Sequence, residues 1–82
     1  MSTFPSLTGK KIVATLKKAG FVLERQRGSH IFLRHPDGRA TVVPIHKGET
    51  IGPGLFAKIL RDAEMAREDF IKIMEAKGLR SE

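Results

Sequence analysis

The chain contains no cysteine, no tryptophan and no tyrosine among its 82 residues. Without cysteine there is no disulfide to staple a small fold and no thiolate to hold a metal, which suits a reducing compartment. Without tryptophan or tyrosine, a base-stacking platform of the kind used by single-strand-binding proteins is not expected. No apolar run approaches the ~20 residues of a membrane span. The opening Met1-Ser2-Thr3-Phe4-Pro5 lacks the basic-then-apolar layout of a signal peptide. The expectation is therefore a soluble, cytoplasmic protein with no membrane partner. Metal chemistry also finds little support. His30, His35 and His46, with Asp37 or Glu49 as neighbours, match no zinc-ligand spacing, so neither a metal nor a cofactor is expected.

Acidic residues are scarce in one half. Residues 1–47 carry nine Lys/Arg against Glu24 and Asp37 alone, whereas residues 48–82 carry six basic and seven acidic residues. The net charge of +6 thus lies wholly in the half that contains the histidines. A basic half points to phosphate-bearing partners or to an acidic protein.

The length sets a single domain, residues 1–82, with a thin core. Residues 1–7 read as an N-terminal arm. Thr8 caps a helix running from Lys10 to Ala19, with Ile12, Val13, Leu16 and Ala19 as its apolar stripe. Gly20 stops that helix by taking a left-handed conformation at little cost. Residues 21–26 form a first strand, Gly28-Ser29 a turn, and residues 30–34 a second strand of residues that fit a pleated surface. Pro36-Asp37-Gly38 makes a hairpin turn into a third strand over 40–45, where Pro44 signals an edge or an end. Three strands so close in sequence pair most simply as an antiparallel meander.

Residues 46–54 read as a loop. A second helix follows from about Pro53, with Phe56, Ile59, Leu60 and Ala63 inward. A C-terminal helical segment spans 66–78, with Phe70, Ile71, Ile73 and Met74 apolar and a stop at Gly78. Helices 1 and 2 are expected on the same side of the sheet, because a three-stranded sheet with a bare apolar face needs a cover.

Several short motifs now stand in order. Gly9-Lys10 opens the first helix and Lys18-Ala19-Gly20-Phe21 closes it. Gly28-Ser29-His30, Arg34-His35-Pro36-Asp37-Gly38-Arg39, Val43-Pro44-Ile45-His46 and Ile59-Leu60-Arg61-Asp62-Ala63 follow. No tripeptide among them is specific, but the ordered series over residues 8–74 resembles the HicA (YcfA-like) toxin family. The resemblance implies an α+β fold like a double-stranded-RNA-binding domain, α-β-β-β-α, with the helices on one face of a three-stranded antiparallel sheet. It implies an mRNA-cleaving endoribonuclease, the toxin of a type II toxin–antitoxin pair, blocked by a HicB antitoxin. It also places the catalytic role on the histidine of Gly-Ser-His, which is His30. The chain is expected to be monomeric when free and hetero-oligomeric with its antitoxin.

Two departures from the family pattern carry expectations of their own. Gly54-Leu55-Phe56 stands where members often read Gly-Thr-Leu, so the second helix loses its capping threonine and its start shifts toward Pro53. Ala63-Glu64-Met65-Ala66 stands where members often read Ala-Gly-Leu-Ser. With glycine stop and serine cap both gone, the second helix is expected to run into the last segment with little or no break.

The chemistry fits the residues. RNA supplies its own nucleophile, the 2′-hydroxyl, and an imidazole is suited to accept its proton or to protonate the leaving 5′-oxygen. In a strand His30 shares a face with Phe32 and Arg34, while Ile31 and Leu33 share the other. Both faces hold apolar residues, so alternation alone does not say which is buried. The plain alternative for His30 is a half-buried ring satisfied by a backbone carbonyl.

Candidate assistants are His46, Lys47 and Ser29, against the readings of a loop histidine, a solvated lysine and a turn hydroxyl. His35, before a proline, reads as structural or solvent-exposed. Lys10, Lys11, Arg25, Arg27, Arg34, Arg39 and Lys47 form the pool for holding RNA phosphates, part of it ordinary solvated surface. Besides the toxin nuclease two readings stay open. One is a non-catalytic RNA-binding module of the same fold; the other is a basic face that mainly docks an acidic antitoxin.

Overall fold

The first turn of α1 (Gly9–Lys18) is set by Thr8, whose hydroxyl accepts the Lys11 N–H at 3.1 Å from an extended backbone. Ile12, Val13 and Leu16 then fall on one side of the cylinder and are buried, with Lys10, Lys11, Lys17 and Lys18 turned outward. Gly20, at φ +105, ends the helix. A side chain there would also meet the His35 ring, its Cβ lying 2.8 Å from Nε2. These features come from a computed structural model that describes residues 7–76. Residues 1–6 of the expected arm, and 77–82 with the expected stop at Gly78, lie outside the described residues.

Three strands follow: β2 (Val22–Arg27), β3 (His30–Arg34) and β4 (Ala40–Pro44). They pair antiparallel in the order β2-β3-β4, so β4 with its Pro44 is an edge, as proline requires. One face of the sheet is lined by Ile31, Leu33, Thr41 and Val43, all buried. That face receives α1 and α2 (Pro53–Ala63), both packed against β4. The architecture is therefore α+β, of the α-β-β-β-α kind expected, with one added helix, α3 (Arg67–Glu75), packed on α1.

One pairing has no counterpart in the sequence reading. Leu7–Thr8 forms a strand, β1, that pairs antiparallel with Thr50–Ile51, β5, inside the segment expected to be a loop. Leu7 and Ile51 are both buried. This two-residue clamp ties the chain entering α1 to the chain entering α2. Strands so short leave no periodicity to read.

The second helix begins where the missing threonine implied. Pro53 is its first residue and Gly52 its cap, with no side-chain hydrogen bond. Its expected continuation into the last segment is overturned. The chain turns at 64–66, with Glu64 in the left-handed region at φ 53, ψ 50. The Glu64 N–H reaches the Arg61 carbonyl at 3.1 Å and the Met65 N–H reaches that of Leu60 at 3.0 Å, the double closure of a Schellman motif.

Glutamate pays about 1–2 kcal/mol for that conformation. The break lets α3 fold back and place Phe70, at 0% exposure, with its ring edge-on to Phe56 at 5.2 Å. Burying a phenylalanine is worth roughly 1.5–3 kcal/mol, which outweighs the local strain. The apolar last segment thus packs against its own domain through Phe70, while Ile71 and Met74 lie partly buried beside the core.

Candidate active site on the open face of the sheet

Register decides what alternation left open. Ile31 is 3% and Leu33 0% exposed, so His30, Phe32 and Arg34 occupy the opposite, helix-free face of β3. His30 is exposed there, in a cross-strand row with Arg27 of β2 and Pro44 of β4. The next row is Arg25, Phe32 and Val42. Arg25 lays its guanidinium over the Phe32 ring, 4.5 Å from the centroid. A bulge between Leu23 and Arg25 skips Glu24 in the pairing, and the Arg34 Nε donates to its carboxylate at 3.1 Å. Both partners are about half exposed, so this pair adds little stability, but it occupies the one acid on β2.

His30 is aimed by the turn before it. Gly28, at φ +58, allows the tight reversal, and the Gln26 side-chain amide donates to its carbonyl at 3.0 Å. The Ser29 carbonyl accepts the Ile45 N–H at 2.6 Å, which extends the β3–β4 ladder one step beyond His30. His30 is therefore the first residue of a strand held on both sides.

The start of α1 is brought to the same end of the sheet. Gly9 is buried against β4, and a Cβ at this position would overlap the Pro44 carbonyl oxygen. Pro44 is the cross-strand partner of His30. Lys10 and Lys11, both exposed, thus flank the histidine's end of the sheet, where the positive end of the helix dipole adds to their charge. Gly9→Ala is expected to cost about 1–3 kcal/mol by overpacking, because the obstructing atom is backbone and the helix start must back away. Urea unfolding checks it, and an alanine variant as stable as the wild type would show that this approach is not tight.

His46 and Lys47 follow β4 after Ile45, exposed in a turn closed by the Glu49 N–H on the His46 carbonyl at 3.0 Å, with Gly48 at φ +76. They leave the sheet at the His30 end. Ser29 is half-buried in the turn, its carbonyl committed to the ladder.

Arg39 is placed elsewhere. Its Nε donates to both Asp37 carboxylate oxygens at 2.9 and 3.1 Å, and its Nη1 to the Ala63 carbonyl at 2.8 Å. Its guanidinium also lies 5.2 Å from the Phe21 ring centroid. It ties the hairpin turn to the end of α2, so it drops out of the pool of phosphate-facing cations. The Arg39 side chain, then the Arg39 backbone N–H, hold the Asp37 carboxyl below the usual range. His35 is likewise structural: its Nδ1 accepts the Asp37 N–H at 3.1 Å and its ring meets Phe21 edge-on at 5.1 Å.

The open face thus holds His30, Arg25, Arg27 and Arg34. The start of α1 with Lys10 and Lys11, and the turn with His46 and Lys47, lie at the histidine end of the sheet. Among the described residues no three of His, Asp or Glu come together as a metal-holding set, and no helix is long and apolar enough to cross a membrane. Sequence reasoning missed two contributors. Phe32 could have been placed only by knowing which face of β3 is covered, and Gly9's closeness to β4 leaves no local signal. Residues 9–65 match the family model described as HicA toxin of bacterial toxin-antitoxin. No curated protein matches the chain.

Proposed function

The chain belongs to the HicA toxin family, and from that premise we propose that it is an endoribonuclease that cleaves mRNA with His30 as general acid/base and needs no metal. The single observation that carries this reading is the position of His30. It is solvent-exposed on the helix-free face of a basic sheet, beside Arg27 and the lysine-bearing start of α1.

An RNA phosphate drawn to those cations lies next to the imidazole. The 2′-oxygen attacks the adjacent phosphorus as its proton passes to a base. The P–O5′ bond breaks, and the departing 5′-oxygen takes a proton from an acid. His30 supplies one of these transfers, and His46 or Lys47 is the candidate for the other. Arg27, Lys10 and Lys11 offset the charge that develops on the phosphorane oxygens. The products are a 2′,3′-cyclic phosphate and a 5′-hydroxyl.

The same basic face suits an acidic docking surface on a HicB-like antitoxin, which would cover His30. On this reading the chain acts in the cytoplasm, is monomeric when free and forms a hetero-oligomer when inhibited.

The test is chemical. Purified chain, free of antitoxin, is incubated with mRNA with and without EDTA, and the new ends are identified. Equal cleavage in both, with cyclic phosphate and 5′-hydroxyl ends, is expected. Ends bearing a 5′-phosphate, or activity lost to the chelator, would sink the mechanism. RNA held but not cut would establish the binding-module reading instead.

A further inference from the structure

Four phenylalanines are described, and three of them are core. Phe21, Phe56 and Phe70 are 3%, 2% and 0% exposed. Phe32 is the exception. It stands half-buried on the open face, two residues from His30 on the same side of β3. Burial is the usual fate of such a ring, but alternation with the buried Ile31 and Leu33 turns this one to the helix-free face.

Its surroundings match a nucleic acid base. The Arg25 guanidinium lies over the ring at 4.5 Å. Neither Arg25 nor Arg27 has a carboxylate partner among the described residues, because Glu24 is occupied by Arg34. A guanidinium is flat, weakly hydrated and able to stack, so the pair offers planar surface under positive charge. Two strand residues on one face are ~6.8 Å apart, which puts this surface one side-chain step from the reacting imidazole.

We propose that Phe32 and Arg25 form a stacking subsite for a nucleobase flanking the scissile phosphate, so that the chain takes its RNA single-stranded. The inference rests on the RNA-cleaving role of His30. The lack of tryptophan and tyrosine still excludes an extended platform. One ring beside the reactive group is a smaller device, which grips one base and sets the phosphate. A paired base keeps its faces inside the helical stack and cannot offer them to Phe32. Because every base has a π-face, the subsite tolerates sequence.

The experiment uses the full chain carrying His30→Ala, so that RNA stays uncut, and a single-stranded RNA hexamer containing one 2-aminopurine. The same hexamer annealed to its complement is the second probe. The parent is expected to quench the fluorophore on binding the single strand, and to bind the duplex more weakly. Phe32→Leu keeps an apolar side chain but removes the ring. It should weaken single-strand binding by roughly tenfold to a hundredfold and leave duplex binding unchanged. Phe32→Trp should retain tight binding, and melting curves for each variant verify folding.

Equal single-strand binding by parent and Phe32→Leu would overturn the subsite and leave the nuclease reading intact. So would a parent that prefers the duplex. A parent that binds neither RNA would overturn both.

Discussion

Replacing His30 with alanine is expected to lower single-turnover mRNA cleavage by ~10²–10⁴-fold, the range of one positioned general acid or base. The fold should hardly notice. His30 is exposed and its side chain makes no hydrogen bond among the described residues, so the change belongs with surface substitutions that stay within about 0.5 kcal/mol. Cleavage and thermal unfolding are therefore read side by side: activity collapses and the melting temperature stays.

Glutamine separates chemistry from contact. It keeps a polar side chain but cannot cycle a proton near neutral pH, so His30→Gln should be as slow as alanine. In cells, wild-type chain expressed without an antitoxin should arrest growth and degrade mRNA, and the alanine variant should do neither. An alanine variant that stays folded and cuts within threefold of the wild type removes His30 from the mechanism and moves the search to His46.

Phe70→Ala is expected to have the largest effect on stability. The ring is fully buried and meets Phe56 edge-on at 5.2 Å. Deleting such a side chain costs about 3–5 kcal/mol, cavity included. At roughly 0.05–0.15 kcal/mol per residue, a chain of 82 residues has only about 4–12 kcal/mol in all. The variant should therefore lose a large part of its stability and melt roughly 12–40 °C lower.

Urea unfolding with an unchanged slope would verify that the native state, not the denatured one, is affected. The family match ends at residue 65, so α3 lies outside it and is readily taken for an appendage. A loss under about 1 kcal/mol would show that it is one. The expected loss makes α3 part of the core, and truncation after Ala66 should then be at least as damaging as the point change.

Much of the molecule was legible residue by residue. Thr8 caps α1, Gly20 ends it, and Gly28 and Gly38 sit in turns at positive φ. The stripe Phe56, Ile59, Leu60, Ala63 is buried entire. Each follows from interactions spanning four residues or fewer, which a linear chain displays directly. The Gly-Ser-His turn and the basic half were visible for the same reason.

Other features needed the whole domain. The break at Glu64 is locally unfavourable for a non-glycine residue and is stabilised only through Phe70, which reaches Phe56 across the core. The β1–β5 clamp joins segments more than forty residues apart through two residues each. Arg39 looks like any surface cation until the hairpin turn and the end of α2 are brought together around it.

The sequence by itself determined the α-β-β-β-α order of the main elements and the family, and singled out His30 as the candidate for the reactive role. Only the tertiary structure decided which face that histidine occupies. Alternation along β3 is symmetric, with apolar residues on both sides. The choice is made by α1 and α2, which cover Ile31 and Leu33 and so leave His30, Phe32 and Arg34 to solvent. Burying one side of a sheet is a property of everything packed against it, and no local pattern in five residues can carry that sum.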